Sequence, residues 1–476
     1  MSTDRKPNII LVYTDQQRYD TLGVNGNPLI GTPNLDAFAR QGVNFARGYV
    51  TTPICLPSRA ALFTGRYNHA NGSYNNSRWM FDRETDLAAL LKGHGYRTAL
   101  IGKDHCFGGD RLGRAFDHVR RAAHIAFNPA QNEGEQRIND LRRDKMQVPF
   151  ADDPIPPEQN ITGSLFRWAR EYVDGAGCEP FFLWLSISDP HPPYMVCEPY
   201  AGMYEDVEIP APAWEEGETA NKPFRQRQVV EWDRYGREYP GDAIDKLRRI
   251  YWGMVSYIDA EMGRLLDHLH RRGRDEDTVV LFTSDHGDYM GDHRMIRKGP
   301  HLYEALAHVP LIARWCGQFP ARATDAMAAN IDIFPTLCEL AGVPVPQHVQ
   351  GRSFAGLLRG QRDTHRDMVF LEHGDPGPVL RPGHLSPGRA KELAENTGHH
   401  LCAEICRGRV KGVRSDRWKY CITSGDVDEL YDLEADPNEL HNLAGDPACT
   451  DVVAEHRRHI LHWLIETEDT LSDERL

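Results

Sequence analysis

Pro7-Asn8-Ile9-Ile10-Leu11-Val12-Tyr13-Thr14-Asp15 is the stretch whose reading decides the fold. A short apolar run closed by a polar pair reads as a strand buried on both faces. Comparable runs follow at Arg97–Ile101, Phe181–Leu185, Thr278–Thr283, Val309–Ala313 and Met368–Leu371. Between them lie helical patterns: Leu35, Phe38 and Ala39; Leu87, Leu90 and Leu91; and Ile250, Met254, Tyr257, Ile258 and Met262. Strands alternating with amphipathic helices predict an α/β fold, a large mainly parallel sheet sandwiched by helices. Such sheets bind ligands beyond the carboxyl ends of their strands. Asp15, Lys103, His191 and Asp285 each fall just past a predicted strand.

Beyond about residue 380 the pattern changes. Val410–Val413, Trp418–Ile422 and Glu429–Asp432 read as a small antiparallel sheet, followed by a helix from Asp451 to Ile465. The expected division is a catalytic α/β domain over 1–380 and a C-terminal α+β subdomain over 381–476. Three polar segments, 128–161, 196–240 and 374–407, interrupt the alternation and read as rims of a site. Trp214, Trp232 and Tyr235 in the second are candidates to stack on a ring.

Composition excludes whole classes of function. Lys+Arg total 55 against Asp+Glu 69, a net charge of -14, and nucleic-acid affinity needs a basic footprint. No apolar run approaches the ~20 residues of a membrane span. The polar start leads straight into a strand, with no signal-peptide pattern, so the expected location is cytoplasmic. The ten cysteines are scattered, as expected of small buried hydrophobes and not of a disulfide framework. A homo-oligomer stays open. His399, His400, Cys402 and Cys406 lack the second paired arm of a structural zinc site and read as a rim loop.

One cysteine stands apart, in Cys55-Leu56-Pro57-Ser58-Arg59-Ala60-Ala61-Leu62-Phe63-Thr64-Gly65-Arg66. Pro57 suits the first turn of a helix, which sets Cys55 at a helix N-terminus, where the dipole favours negative charge. With Arg59 one turn on, the thiol reads as an acidified nucleophile.

Cys-x-Pro-Ser-Arg followed by Ala60-x-Leu62-x-Thr64-Gly65-Arg66 resembles the signature of the type I, formylglycine-dependent sulfatases of the alkaline phosphatase superfamily. Further matches run in family order: Asp15 after the first strand, Thr32-Pro33-Asn34-Leu35-Asp36, Gly102-Lys103-Asp104-His105, Ser284-Asp285-His286-Gly287, Lys298, Val309-Pro310-Leu311-Ile312 and Glu429-Leu430-Tyr431-Asp432-Leu433. The resemblance implies an alkaline-phosphatase-like fold. It also implies a maturation enzyme that oxidises Cys55 to formylglycine.

The resemblance further implies one divalent cation held by Asp15, Gln16, residue 55, Asp285 and His286. Gln16 departs from the family's acidic residue. Calcium is the family default, with manganese and magnesium as alternatives suited to the same oxygen-rich set. Lys103, Lys298 and Arg59 are expected to balance charge, His191 to protonate the leaving alcohol, and His105 to take a proton in the second step. Asn76, Lys103, His191 and Lys298 are the expected substrate contacts. Asp104 stands where the family has a large apolar residue, and it is a candidate partner for Lys103.

The expected reaction is hydrolysis of a small-molecule or saccharide sulfate ester through a sulfated-enzyme intermediate. The nearest alternative is a phosphonate monoester or phosphodiester hydrolase on the same site. That group shares the Asp-Gln start, but the positions of Lys103 and His105 there resemble Tyr and Thr. A non-catalytic carbohydrate-binding relative and a two-zinc phosphatase are more distant options.

Overall fold

The structure is a computed structural model that describes residues 6–122, 136, 156–232, 241–377, 379–381, 383–384, 386–395 and 407–467. The His399–Cys406 cluster and Tyr235 lie outside the described residues, as does most of the segment 128–161.

Eight strands form the main sheet: β1 (Asn8–Asp15), β2 (Val43–Tyr49), β3 (Arg97–Gly102), β4 (His118–Arg121), β5 (Phe181–Pro190), β6 (Thr278–Ser284), β7 (Leu311–Arg314) and β8 (Arg322–Ala329). Their order is β4-β3-β5-β1-β6-β7-β2-β8. β1 runs parallel to both β5 and β6, with Ile9 opposite Phe182 and Val279. Only β7 runs against its neighbours. β1 sends Ile10 and Val12 to one core and Ile9, Leu11 and Tyr13 to the other, which is why its sequence is a continuous apolar run. The long helix Gly241–Arg271 and the helices Pro33–Arg40 and Ile161–Gly175 cover the first face. Leu87–Gly93 and Ile333–Leu340 cover the second.

A second sheet, ordered β12-β11-β10-β9, is antiparallel throughout: β9 (Val369–His373), β10 (Val410–Arg414), β11 (Trp418–Thr423) and β12 (Glu429–Asp432). The helix Thr450–Thr467 packs on it, with Trp463 stacked on Phe370 at 4.9 Å between ring centroids. The run near Met368–Leu371 therefore belongs to this sheet and not to the parallel set. An apolar run does not reveal which sheet it joins. The small sheet thus takes a strand from upstream of residue 381.

β9 meets the main body beside the Cys55 segment. Glu372 N–H donates to Thr51 O at 2.7 Å, and the Glu372 carboxylate takes His69 Nδ1 at 3.0 Å and Lys411. A second clasp is more charged. Lys419 on β11 donates to Leu302 O and Glu439, each at 2.8 Å, and pairs with Glu304 at 2.8 Å. A buried carboxylate, Glu439, and a half-buried one, Glu304, therefore share one lysine. Burial, opposed by Lys419 but reinforced by Glu304, pushes Glu439 up to about 7, while Lys419 and Arg414 overcome burial and hold Glu304 at about 2. The folded state binds the Glu439 proton more tightly than the unfolded chain does. Stability from this group is therefore lost as pH rises from about 4.5 through about 7. In denaturant titrations, Glu439→Gln is expected to gain on the parent between about pH 5 and about pH 8, by on the order of 3 kcal/mol. The pH-independent cost of the amide cancels in that difference. A pH-invariant difference would contradict the shared-lysine account.

The eight described cysteines are all unpaired, and six of them are buried. No helix among the described residues is long and apolar enough to cross a membrane.

Candidate active site

The carboxyl ends of β1, β3, β5 and β6 meet around the N-terminus of the helix Cys55–Thr64. Cys55 is the first residue of that helix, with Pro57 in its first turn. Leu56 N–H is taken by Asn76 Oδ1 at 3.0 Å. The Asn76 amide oxygen is thereby committed, so its –NH₂ is the group left to face a ligand. Its neighbour Asn75 is instead tied to Asp375.

Cys55 Sγ lies 3.2 Å from His286 Nε2 and 3.7 Å from Asp15 Oδ1. Ligand atoms of Asp15, Cys55, Asp285 and His286 all fall within 4.8 Å of one another, and all four residues are buried. The two carboxylates divide their oxygens by role. Asp15 Oδ2 takes Arg59 Nη2 at 3.2 Å and also Lys103 Nζ, while Asp285 Oδ2 takes Arg59 Nε at 2.8 Å. The Oδ1 atoms face inward, 3.8 and 3.5 Å from His286 Nε2. His286 Nδ1 meets Gly287 O at 2.8 Å, a contact that needs the proton on Nδ1 and leaves Nε2 as a lone-pair donor toward the cluster. Two inward oxygens, an imidazole nitrogen and residue 55 suit a divalent cation. Burial opposes a charge on His286, yet Asp285 overcomes it and raises the imidazole, which shows how strongly the two buried carboxylates draw positive charge to this spot.

The surrounding cations are held as firmly. Arg59 is fully buried, donates to Ser186 Oγ at 2.6 Å, and lies 5.0 Å from the Tyr13 ring centroid. Lys103 follows Gly102, whose φ is +109° and where a Cβ would lie 1.9 Å from Ser186 O. Only glycine permits that approach of β3 to β5. Lys298 donates to Gln16 Oε1 at 2.9 Å. His105 is 6.5 Å from the Trp79 ring, edge to face, and its buried Nδ1 has no partner among the described residues. His191 is half-buried beyond β5, with Nδ1 2.6 Å from Pro192 O.

These charges set the protonation states. Burial and Asp15 push the Cys55 thiol up, but Lys103, Lys298 and His286 outweigh them and hold it well below the usual thiol range. Burial also opposes ionisation of Asp15, yet Lys103, His191, Arg59 and Lys298 hold it well below the carboxylate range. Burial and Asp15 raise Asp285. Burial and Lys103 lower His105, which stays neutral and able to accept a proton.

The fold thus gathers Asp15, Gln16, Cys55, Arg59, Asn76, Lys103, His105, Asp285, His286 and Lys298 into one region. His191 lies near enough to act on Asp15. Asp104 does not pair with Lys103; it turns to Arg121 at 2.6 Å. The Trp214 face is already covered by the Arg294 guanidinium at 3.7 Å. Sequence reasoning missed Ser186, which contacts Arg59, Asp288, which contacts Gln16, and Tyr194, which contacts Asp288.

A mainly parallel sheet with an acidic, thiol-bearing cluster at its carboxyl edge is the frame of an α/β enzyme. The profile of the Sulfatase family matches residues 7–343, and the chain belongs to that family. It is 30% identical to the multifunctional alkaline phosphatase superfamily protein PehA of Trinickia caryophylli, over 98% of this chain and 96% of that one. It is 29% identical to an arylsulfatase of Clostridium perfringens, with the same two coverages. The crystal structure of a phosphonate monoester hydrolase of Agrobacterium radiobacter superposes with a TM-score of 0.81 at 25% identity, covering 97% of this chain and 96% of that one.

Proposed function

We propose that this chain hydrolyses a sulfate monoester by S–O cleavage, with the nucleophile at position 55 after oxidation of Cys55 to formylglycine by a maturation enzyme. The observation that carries this reading is the convergence of Asp15, Asp285 and His286 on a helix-N-terminal cysteine flanked by Lys103 and Lys298. Asp15, Gln16, Asp285 and His286 would hold one divalent cation, calcium by preference, with manganese and magnesium as alternatives. That cation would supply positive charge that favours the ionised nucleophile and opposes the charge growing on the ester.

The chain's own residues do the rest. Lys103, Lys298 and the Asn76 –NH₂ hold the ester's oxygens and oppose the charge that grows on them. Arg59 keeps Asp15 and Asp285 ionised and aimed. His191, together with Lys298, delivers a proton to the departing alcohol. His105, neutral by burial and in hydrogen-bond contact with Cys55, accepts a proton when sulfate is released.

A phosphonate monoesterase is the second reading. Gln16 in place of an acidic residue favours it, as does similarity to PehA and to the Agrobacterium hydrolase. Lys103 and His105 favour the sulfatase, because the corresponding positions of the phosphonate hydrolase group resemble Tyr and Thr. The test pairs aryl sulfate with aryl phosphonate ester on matured enzyme, followed by sugar sulfates and choline sulfate. The expected result is kcat/KM at least about tenfold higher on the aryl sulfate, a difference of about 1.4 kcal/mol in transition-state binding. Faster phosphonate turnover would reverse the assignment.

A further inference from the structure

We propose that Asp288 is a positioning residue: it fixes the Gln16 side-chain amide so that the carbonyl oxygen, not the –NH₂, faces Lys298 and the acidic cluster. This rests on the proposed role of Gln16 in holding a cation. An amide presents an acceptor at one end and a donor at the other, and its orientation is set by its neighbours. Here both ends are specified. The Gln16 –NH₂ donates to Asp288 Oδ2, and Gln16 Oε1 accepts from Lys298 Nζ at 2.9 Å. Turning the amide over would set an oxygen against a buried carboxylate and an –NH₂ against an ammonium.

Asp288 is itself immobilised. Its Oδ2 also takes Tyr194 OH at 2.6 Å, and its Oδ1 takes the backbone N–H of Met290 at 2.9 Å and of Arg297 at 2.8 Å. It is fully buried. The Arg297 bond closes the loop that ends in Lys298, so one carboxylate sets both partners of the Lys298–Gln16 contact. The Gln16 backbone is equally fixed: φ is +73°, its N–H donates to Asp285 Oδ1 at 3.0 Å, and its C=O takes Tyr251 OH at 2.6 Å. The amide face is therefore the main choice left to residue 16, and Asp288 makes it. The same contact accounts for an amide at this position: an acidic side chain of equal reach would confront Asp288.

Outer partners of metal ligands are typically worth roughly 10–100-fold in affinity. The experiment is calorimetric titration of Ca²⁺ into the chelator-stripped, matured full-length protein, with melting curves as the check on folding. Asp288→Asn is expected to weaken Ca²⁺ binding by about tenfold or more in the parent, and by less than about threefold in a Gln16→Ala background, because the effect acts through Gln16. An undiminished affinity in Asp288→Asn, or an equal loss in both backgrounds, would overturn the proposal. Should Asp288→Asn fail to fold, Tyr194→Phe removes one donor to Asp288 while sparing its bond to Gln16. It is expected to cost about threefold, again absent with Gln16→Ala, and no loss would overturn the proposal. A parent that binds none of Ca²⁺, Mn²⁺ or Mg²⁺ would defeat the cation reading and this inference together. A parent that binds while the variants match it would defeat this inference alone.

Discussion

Cys55→Ala is expected to lower kcat for a sulfate ester by roughly 10⁴-fold or more while leaving KM within a few-fold of the parent. The substrate's oxygens would still meet Lys103, Lys298 and Asn76, each of which keeps an anchor other than the sulfur. Lys103 is anchored on Asp15, Lys298 on Gln16, and Asn76 on Leu56 N–H. Binding therefore survives and chemistry does not. The cysteine is buried in a helix N-terminus, and alanine is a good helix former, so the fold should tolerate the change. Steady-state kinetics on matured protein separate the two constants. A variant that keeps its kcat would show that position 55 is not the nucleophile.

Arg59→Met is expected to be the most destabilising single change at the site, by about 3–5 kcal/mol in chelator-treated protein. Arg59 alone spans Asp285, Asp15 and Ser186, with no exposed surface. Its removal leaves two facing carboxylates in a dry interior, with Lys103 still paired to Asp15 but no guanidinium on Asp285. Arg59→Lys should recover only part of the loss, because a single ammonium cannot fork between two carboxylates and a hydroxyl. Adding Ca²⁺ should narrow the gap between parent and variant, since a bound cation compensates the same charges. Urea titrations with and without chelator check both points. A loss below about 1 kcal/mol would mean the carboxylates are neutralised in some other way.

Much of the site was legible because its signals are local. Cys55, Pro57 and Arg59 sit within one helical turn, so a helix N-terminus and a neighbouring guanidinium follow from spacing alone. Asp15 and Asp285 lie directly at strand ends, and the parallel register of β1 and β6 brings them to one edge. Asp288 was not legible, because its meaning is a contact with Gln16 across 272 positions of sequence. Ser186 lies inside a strand and carried no motif. β2 and β8 also escaped notice: Val43–Tyr49 carries an asparagine, an arginine and a glycine, and Arg322–Ala329 is mostly alanine and polar residues. Neither has the β-branched density that marks a strand from sequence. The reversed direction of β7 was hidden for a related reason, since an apolar run has no arrow. Asp104, a candidate partner for Lys103, does not pair with it because adjacency in sequence is not adjacency of charge; beyond β3 the chain turns Lys103 inward to Asp15 and Asp104 outward to Arg121.

The most direct measurement is mass spectrometry of the tryptic peptide containing residue 55, taken from protein whose sulfate-ester turnover has been measured on the same sample. An aldehyde in place of the thiol is the predicted finding, with its occupancy rising in step with kcat across preparations. Full turnover from material carrying only the unmodified thiol would contradict the account.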